Sequence, residues 1–385
     1  MKNAHKRWGL GAALILVAGS LLTMAAPTAA SAAPQSPNAC GLQPRTGHIA
    51  GIVPAVGTCP DPAAARLATT SDAAKGTPPL IFHGGSVMMT PSTGPLIVTP
   101  IFWNPSGHPM SFSYKVLLGA YITAVSLASG QNSNVFSVLN EYFGNNGQIH
   151  YRVRLGFPID DTDPLPASGC TVASTDTAGI YADHSGYDAC LDDAQVQAEV
   201  DSVTAARGLP HNLTHIYVLY LPKHVESCFF AGPTNTAANA CTINYQPSAA
   251  YCAYHSEDAN GAVYANMPYP IYLSPVGFTC GTEKSFGAIE SPNGNPDADV
   301  EISPTSHEIS EAITDPDTNT GWYDSSGFEI GDECAYIFGQ THGAPGRLYN
   351  QVITGFRFLT QEEFSNRDFA ITGGGCVQSA SAEAP

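Results

Sequence analysis

The sequence predicts a mixed α/β fold, in which the strands and helices of a single α+β domain are stabilised by disulfide bonds. Strand and helix patterns alternate in the first half of the chain and hairpin patterns follow, as in sheets covered by helices. The 385 residues also include ten cysteines, an even number that suits up to five disulfides in an oxidising compartment. Hydrophobic residues make up 43% of the chain, which is enough for a sizeable core.

The N-terminus has the pattern of a secretory signal peptide. A basic stretch at residues 2–7 precedes an apolar run from Leu10, and residues 30–32 (Ala-Ser-Ala) form a cleavage pattern of small residues. We expect residues 1–32 to be removed and the protein to be secreted. A membrane anchor is the alternative interpretation, but the run is short for a span, and no later run reaches about 20 apolar residues.

The remaining chain divides into three predicted parts. Residues 33–80 are rich in Ala, Pro, Thr and Ser, and we interpret them as a loosely ordered leader or pro-segment. Residues 81–378 carry the regular patterns and form the predicted α/β domain. Residues 379–385 form a C-terminal tail.

Apolar runs of strand length predict the strands. Residues 95–103 and 215–221 are continuous apolar runs, whereas residues 148–157 alternate, as in a half-buried strand. Two short runs at 252–255 and 263–268, with an Asn-Gly turn between them, predict a hairpin at a sheet edge. Late strands are expected within 348–359.

Apolar residues at helical spacing predict the helices. One helix is expected over residues 303–314, with Ser303 as N-cap and Pro304 at the first helical position. The Asp315-Pro316 pair ends it. The other predicted helices lie at residues 113–129, 134–143 and 194–207.

The charge balance excludes two classes of partner. The chain has 15 basic and 33 acidic residues, a formal net charge of −18, which becomes −21 once the signal peptide is removed. A general nucleic-acid binder needs a basic face, and so does a protein that docks electrostatically on anionic lipid. The segment from Ser285 to Gly346 contains twelve acidic residues and no Lys or Arg, where a uniform spread would place about five acids. Cation binding is one physical explanation of such a concentration.

The cysteines are interpreted as structural disulfides, because none has the paired C-x-x-C spacing of a zinc ribbon. The sequence does not fix their connectivity. Pairing each cysteine with its neighbour along the chain would give Cys40–Cys59, Cys170–Cys190, Cys228–Cys241, Cys252–Cys280 and Cys334–Cys376.

The residues best suited to chemistry lie on the helix predicted over 303–314. His307 and Glu311 are four residues apart and therefore share one helical face, where both can bind one ion. Glu308 follows His307, as the catalytic Glu does in the H-E-x-x-H motif of zinc peptidases, where it activates a water molecule. The second His is replaced here by Glu311, an acceptable zinc ligand. The bland alternative is that these carboxylates merely solvate a surface helix.

A zinc site needs a third protein ligand. The acidic candidates are Asp315, Asp324, Glu329 and Asp332, of which we favour Glu329 and Asp332. A carboxylate-rich set would also suit calcium, and only His307 tilts the prediction to zinc. His255 is interpreted as a core residue of the hairpin, with a site residue facing the helix as the alternative.

Several short blocks together resemble a known family. They are Gly84-Gly85, residues 291–295, 306–308, Glu311-Ala312, Asp315-Pro316, Trp322-Tyr323 and residues 329–334. In this order they resemble the phosphate-induced-protein, or Exordium-like, family of secreted proteins from plants, oomycetes and bacteria. The resemblance covers about residues 83–378. It implies secretion and, for plant members, a role linked to cell-wall growth, without a settled enzymatic activity.

Two functions compete on these observations. The first is a secreted zinc-dependent hydrolase with a zincin-like mixed sheet and active-site helix, a metallopeptidase that cleaves polypeptides. In it Glu308 is the general base, His307 and Glu311 are ligands, and Glu329 or Asp332 completes the set. The second is a non-catalytic extracellular protein that binds a cell-wall component or a partner around a structural metal. A disulfide-stabilised inhibitor or toxin is a third, weaker interpretation.

Overall fold

The structure, a computed structural model, describes the chain in eight stretches. They are residues 48–54, 77–172, 180–181, 183–233, 239–242, 251–272, 280–281 and 289–381. All belong to the compact unit Ser36–Pro385. The predicted signal peptide, the Cys40–Cys59 pair, most of the predicted leader and the last four residues of the predicted tail lie outside the described residues.

The strands are short outside the central sheet. In chain order they are β1 (Ile49–Pro54), β2 (Ile81–Phe82), β3 (Leu96–Trp103), β4 (Phe143–Gly144), β5 (Gly147–Gln148), β6 (Val153–Leu155), β7 (Ile159–Asp161), β8 (Cys170–Thr171), β9 (Ala189–Asp192), β10 (His215–Tyr220), β11 (Val225–Cys228), β12 (Gly232–Pro233), β13 (Tyr251–Glu257), β14 (Val263–Met267), β15 (Trp322–Tyr323), β16 (Gln351–Ile353), β17 (Phe356–Phe358), β18 (Glu363–Phe364) and β19 (Cys376–Val377).

The described helices are four α-helices and two 3-10 helices. The α-helices are α1 (Phe112–Leu127), α2 (Asp193–Arg207), α3 (Pro296–Thr314) and α4 (Asn366–Thr372), and the 3-10 helices span Val135–Glu141 and Asp332–Cys334.

Seven strands form the central sheet, in the order β1-β13-β14-β10-β3-β6, and β7 also pairs with β3. The pairs that join β14, β10, β3, β6 and β7 are parallel. In contrast, β13 is antiparallel to both of its neighbours, β1 and β14. The predicted mixed α/β class is therefore confirmed. The predicted hairpin exists as β13–β14, but it does not end the sheet, because β1 lies beyond it.

Helices cover both faces of this sheet, and the alternation along β10 shows how. Ile216, Val218 and Tyr220 belong to one hydrophobic cluster, which includes residues of α1 and α3. Tyr217 and Leu219 point to the other cluster, which includes residues of α2. All five side chains are fully buried. The arrangement places α3 against the end of the sheet that contains β13 and β14.

Helix α3 begins at Pro296, seven residues before the predicted start at Ser303. The Asn295 side chain accepts a hydrogen bond from the Ala298 amide and caps the helix, and Pro296 takes the first helical position. Pro304 therefore lies inside the helix, where a proline lacks one backbone donor. The helix tolerates it within a nearly continuous buried surface, because tertiary packing outweighs local propensity.

Two other predicted elements are shorter or tighter than expected. Residues 135–141 form a 3-10 helix rather than an α-helix, capped by the Asn134 side chain, with five consecutive residues buried. The strand expected over 148–157 joins the central sheet only at Val153–Leu155. The preceding Ile149 and Tyr151 are buried without belonging to the main sheet.

The expectation of a loosely ordered segment over 33–80 is wrong for β1. Ile49, Ile52 and Val53 are buried. The free edge of β13 accepts this apolar strand, since an unpaired edge exposes a row of backbone donors and acceptors. The sequence did not predict β1, because the strand has only six residues and the segment around it is rich in small residues.

Four disulfides are confirmed among the described residues: Cys170–Cys190, Cys228–Cys241, Cys252–Cys280 and Cys334–Cys376. Each disulfide joins two cysteines that follow one another along the described part of the chain, as the pairing of neighbours predicted. Of the helices that the structure describes, none combines the length and the apolar character needed to cross a bilayer.

The stability of the protein should depend on pH, because two acidic side chains, Glu199 on α2 and Asp161 on β7, lie close together. Burial raises the pKa of Glu199 to about 9 from its usual 4.5, and the nearby Asp161 adds to the rise. A raised pKa in the folded state stabilises the fold below the unfolded pKa, and that contribution is lost as the pH rises. We expect the free energy of unfolding, measured with urea, to fall between pH 5 and 9. The fall should be smaller in Glu199→Gln, and identical profiles would contradict this assignment.

Candidate metal centre

Helix α3 presents His307, Glu308 and Glu311 to the interior of the protein. All three side chains have no exposed surface. The His307 Nε2 and Glu311 Oε1 atoms are 3.0 Å apart, one helical turn from each other. The predicted shared face therefore exists, and it points into the core rather than to solvent. This excludes the alternative that these carboxylates solvate a surface helix.

The loop before the second 3-10 helix brings Asp332 to the same face. The backbone amides of Gly331 and Asp332 both donate to Glu311 Oε1, at 3.0 and 2.8 Å. Asp332 Oδ1 lies 3.7 Å from His307 Nε2. One ligand atom each from His307, Glu311 and Asp332 thus lies within 4.8 Å of the others, a spacing that one ion can span.

Gly331 permits this close approach. A Cβ atom built there would lie 2.8 Å from His307 Nδ1, closer than real Cβ atoms come to their neighbours, and 3.0 Å from Glu311 Oε1. A side chain at position 331 would therefore push the Asp332 loop away from the helix. The disulfide Cys334–Cys376 ties the end of the same 3-10 helix to β19.

His255 on β13 joins the centre from the sheet. Its Nδ1 lies 3.4 Å from Glu308 Oε2 and 3.8 Å from Glu311 Oε2, and its Nε2 lies 3.8 Å from Glu329 Oε2. His255, Glu311 and Glu329 form a second group with ligand atoms within 4.8 Å of one another. The structure therefore supports the alternative that the sequence left open for His255, and it corrects the preferred interpretation as a mere hairpin core residue.

The tautomer of His255 follows from its backbone contact. Its Nε2 lies 3.1 Å from the carbonyl oxygen of Asp315, which can only accept, so Nε2 carries a proton and donates it. In a neutral ring, the lone pair then resides on Nδ1, which faces Glu308 and Glu311. A histidine held in this way by a backbone carbonyl is a common arrangement for a metal ligand.

Glu311 is the residue that the two groups share. Its Oε1 faces His307 and the Asp332 loop, and its Oε2 faces His255. In the described part of the chain, Oε2 accepts no hydrogen bond, and neither oxygen of Glu308 does. Buried carboxylate oxygens without donors are costly, so these atoms are directed at a position that suits a cation.

Glu363 is a member of the cluster that the sequence did not predict. It lies on β18, is fully buried, and is close enough to His307, Glu308 and Glu311 to influence their charge states. Nothing in the sequence links it to the helix, because 52 positions separate it from Glu311. It is found only when the β18–β19 pair is placed beside the second 3-10 helix.

The burial of so many carboxylates shifts their pKa values. Burial raises the pKa of Glu308 far above its ordinary value, and repulsion by Glu311 and Asp332 raises it further. For Glu311, burial acts to raise the pKa, but the attraction and hydrogen bond of His307, the attraction of His255 and the hydrogen bond of the Asp332 amide together lower it. Burial acts to lower the pKa of His307, yet the carboxylates around it, chiefly Glu311, raise it to about 9.

The structure sorts the four acidic candidates for a third ligand. Asp332 lies with His307, and Glu329 lies with His255, so each joins a different group around Glu311. Asp315 contributes its backbone oxygen to His255. Asp324 instead accepts hydrogen bonds from the amides of residues 326 and 328 within its own turn, and it belongs to neither group.

No family model, no curated protein and no solved structure matches this chain. The resemblance to the Exordium-like family therefore stays a prediction from its motifs.

Proposed function

We propose that the protein is a secreted zinc-dependent hydrolase of the peptidase type. The observation that carries the proposal is the convergence of His307, Glu311 and Asp332 around one position, with Glu308 beside them on the same helix. Catalytic zinc sites use three protein ligands, and both histidine and carboxylates serve as zinc ligands. The two imidazoles that face the cluster favour zinc over calcium, which prefers oxygen ligands alone.

In this proposal, His307, Glu311 and Asp332 hold the zinc ion. Zinc bound there supplies Lewis acidity and lowers the pKa of a water molecule. The Gly331 and Asp332 amides fix the orientation of the Glu311 carboxylate by donating to Oε1. Asp332 is itself oriented, because its Oδ2 accepts a hydrogen bond from the Glu329 amide at 3.1 Å. Such supporting contacts determine ligand geometry.

Glu308 is the proposed general base. Its buried carboxylate takes a proton from the attacking water while the water oxygen bonds to the carbonyl carbon of the substrate. The same proton is then given to the leaving amine as the C–N bond breaks, which returns Glu308 to its starting state. Burial and the neighbouring carboxylates raise the pKa of Glu308, and a raised pKa makes a carboxylate a stronger proton acceptor.

Secretion is part of the proposal. The basic and apolar pattern of residues 1–32 supports it, and so do the four disulfides, which persist in oxidising compartments. The peptidase activity would then act on extracellular polypeptides.

The metal assignment predicts a clear result for a pair of aspartate variants. We expect the pure protein to contain zinc, and Asp332→Asn to lower the affinity for zinc roughly 100-fold, because a charged ligand is lost. Asp324→Asn is the matched control, since Asp324 lies outside both groups. Elemental analysis and competition with a chromogenic chelator measure both. Absence of stoichiometric zinc, or equal affinities in the two variants, would refute the assignment.

If Glu308 is the general base, a substitution there should reduce peptide hydrolysis without reducing zinc binding. Glu308→Gln keeps the shape of the side chain but cannot accept the proton, so we expect zinc content to be retained and peptide hydrolysis to fall by about 10²–10⁴-fold. His307→Ala should lose both. Hydrolysis of casein or a peptide library, inhibited by chelator and restored by zinc, provides the assay. Undiminished hydrolysis by Glu308→Gln would rule out the proposed base.

A non-catalytic function is the second candidate, and the burial of the cluster favours it. Structural metal sites are closed, whereas catalytic sites keep a position open to substrate. Here His307, Glu308 and Glu311 have no exposed surface. In that case the metal stabilises a protein that binds a cell-wall component or a partner. Retention on insoluble wall glycans, without any chelator-sensitive hydrolysis, would support this function over the first.

A further inference from the structure

Strand β1 lies directly on the candidate metal centre. A Cβ atom built on Gly51 would be 2.0 Å from Glu311 Oε2 and 2.4 Å from His255 Nδ1. A side chain at position 51 would have to displace the side chains of Glu311 and His255, so the backbone of β1 lies close against the cluster. Gly51 also has φ of +58°, a backbone conformation that disfavours other residues. The burial of the site is therefore in part the work of this strand.

The pairing of β1 places its backbone in an irregular stretch above the site. Ala50 is opposite His255 in an antiparallel pair, and Val53 is opposite Ala253. The register shifts between Ala50 and Val53, so the intervening Gly51 and Ile52 depart from regular pairing where the strand crosses the cluster. A bulge of this kind turns the main chain of Gly51 towards Glu311.

The edge that β1 occupies is the one an extended ligand would use. The other edge of β13 is filled by β14. An extended polypeptide that adds to a sheet edge gains main-chain hydrogen bonds, while nearby pockets select its side chains. If β1 were displaced, a polypeptide on β13 would run antiparallel to it and would cross Glu308, Glu311 and His255.

We propose that the edge of β13 and the cluster beneath it bind an extended polypeptide substrate that carries glycine where β1 carries Gly51. Strand β1 is then a resident, substrate-like occupant, which closes the site until it leaves. The identity of the bound polypeptide as a substrate rests on the proposed function. The pairing itself, and the requirement for glycine, rest on the contacts of Gly51 alone.

Contacts at the start of β1 explain how it is held. The carbonyl oxygen of His48 accepts hydrogen bonds from the hydroxyls of Ser256, at 2.5 Å, and Thr318, at 2.9 Å. The His48 ring lies 2.6 Å from Asp193, and it is half exposed. Ile49 and Ile52 pack into the cluster on the α2 side of the sheet. These are local contacts of one short strand, and the β13–β14–β10–β3 core does not depend on them for its own pairing.

Substitution of Gly51 tests whether β1 closes the site. Gly51→Ala should loosen β1, and we expect a chelator to strip zinc about tenfold faster and peptide hydrolysis to rise. Gly156→Ala is the matched control, because a Cβ there would lie 2.2 Å from the Thr99 hydroxyl near β6, at the opposite end of the sheet. It should change neither rate. Equal stripping rates in Gly51→Ala and wild type would overturn the closure.

A peptide-exchange experiment tests the binding edge without relying on that variant. A recognition sequence for a specific protease is inserted between residues 55 and 76 of the full chain, and the chain is cut there. A labelled peptide of residues 48–54 (HIAGIVP) should bind the cut protein and not the uncut protein. The same peptide with alanine for glycine should bind at least about tenfold more weakly, because its Cβ meets Glu311 and His255.

The outcomes separate this inference from the proposed function. Glycine-dependent peptide binding without hydrolysis would retain the binding edge and reject the hydrolase. Chelator-sensitive hydrolysis by the uncut protein at the same rate as by the cut protein would retain the hydrolase and reject β1 as its cover. Failure of the cut protein to bind the peptide, with its fold intact by circular dichroism, would reject the binding edge.

Discussion

The structure depends on how it accommodates buried negative charge around Glu311. The cluster consists of five carboxylates, one of which is Glu311, and the imidazoles of His255 and His307. The exposed fraction of each side chain is at most 1%. The carboxylates are Glu308, Glu311, Glu329, Asp332 and Glu363. Placing several ionised carboxylates in a region of low dielectric costs many kcal/mol unless protons, donors or cations compensate. The imidazoles compensate part of this charge, and no Lys or Arg occurs between Ser285 and Gly346 to compensate the rest within that segment. A divalent cation at the proposed site would offset this charge with the fewest protonated carboxylates.

The surrounding elements are arranged to hold this cluster in place. Helix α3 carries three of its members, and its early start at Pro296 anchors it against the sheet well before His307. The Asp332 loop closes over the helix through two amide donors to Glu311, and a disulfide fixes the far end of that loop. These hydrogen bonds satisfy one oxygen of Glu311, whereas the other oxygen faces His255 and has no donor among the described residues.

The sequence predicted the part of this site that is local. The four-residue spacing of His307 and Glu311 is a property of one helix, and Asp332 follows within a compact segment, so both were accessible to pattern analysis. His255 and Glu363 come from strands that pack against the helix only in the folded state, and no spacing links them to it. Strand β1 was missed because pairing with β13, and not its own composition, makes it a strand. The predicted start of α3 is too late because both Ser303-Pro304 and Asn295-Pro296 have the features of a helix start. Only the structure shows that the residues after Pro296 belong to the helix and that most of them are buried.

The same burial that argues for a structural metal also identifies what would have to move for catalysis. If the whole wall of the site belonged to the central core, substrate could not reach Glu308 without unfolding the sheet. Part of that wall is instead a strand of six residues at the edge of the sheet, which can leave without breaking the pairing of the other strands. A glycine at the closest point of contact means that the strand covers the cluster with backbone, the group that a peptidase must bind. Closure by an edge strand is thus compatible both with a closed site and with a peptide-binding site. If β1 stays paired with β13, the centre is structural, and if β1 leaves, the centre can be catalytic.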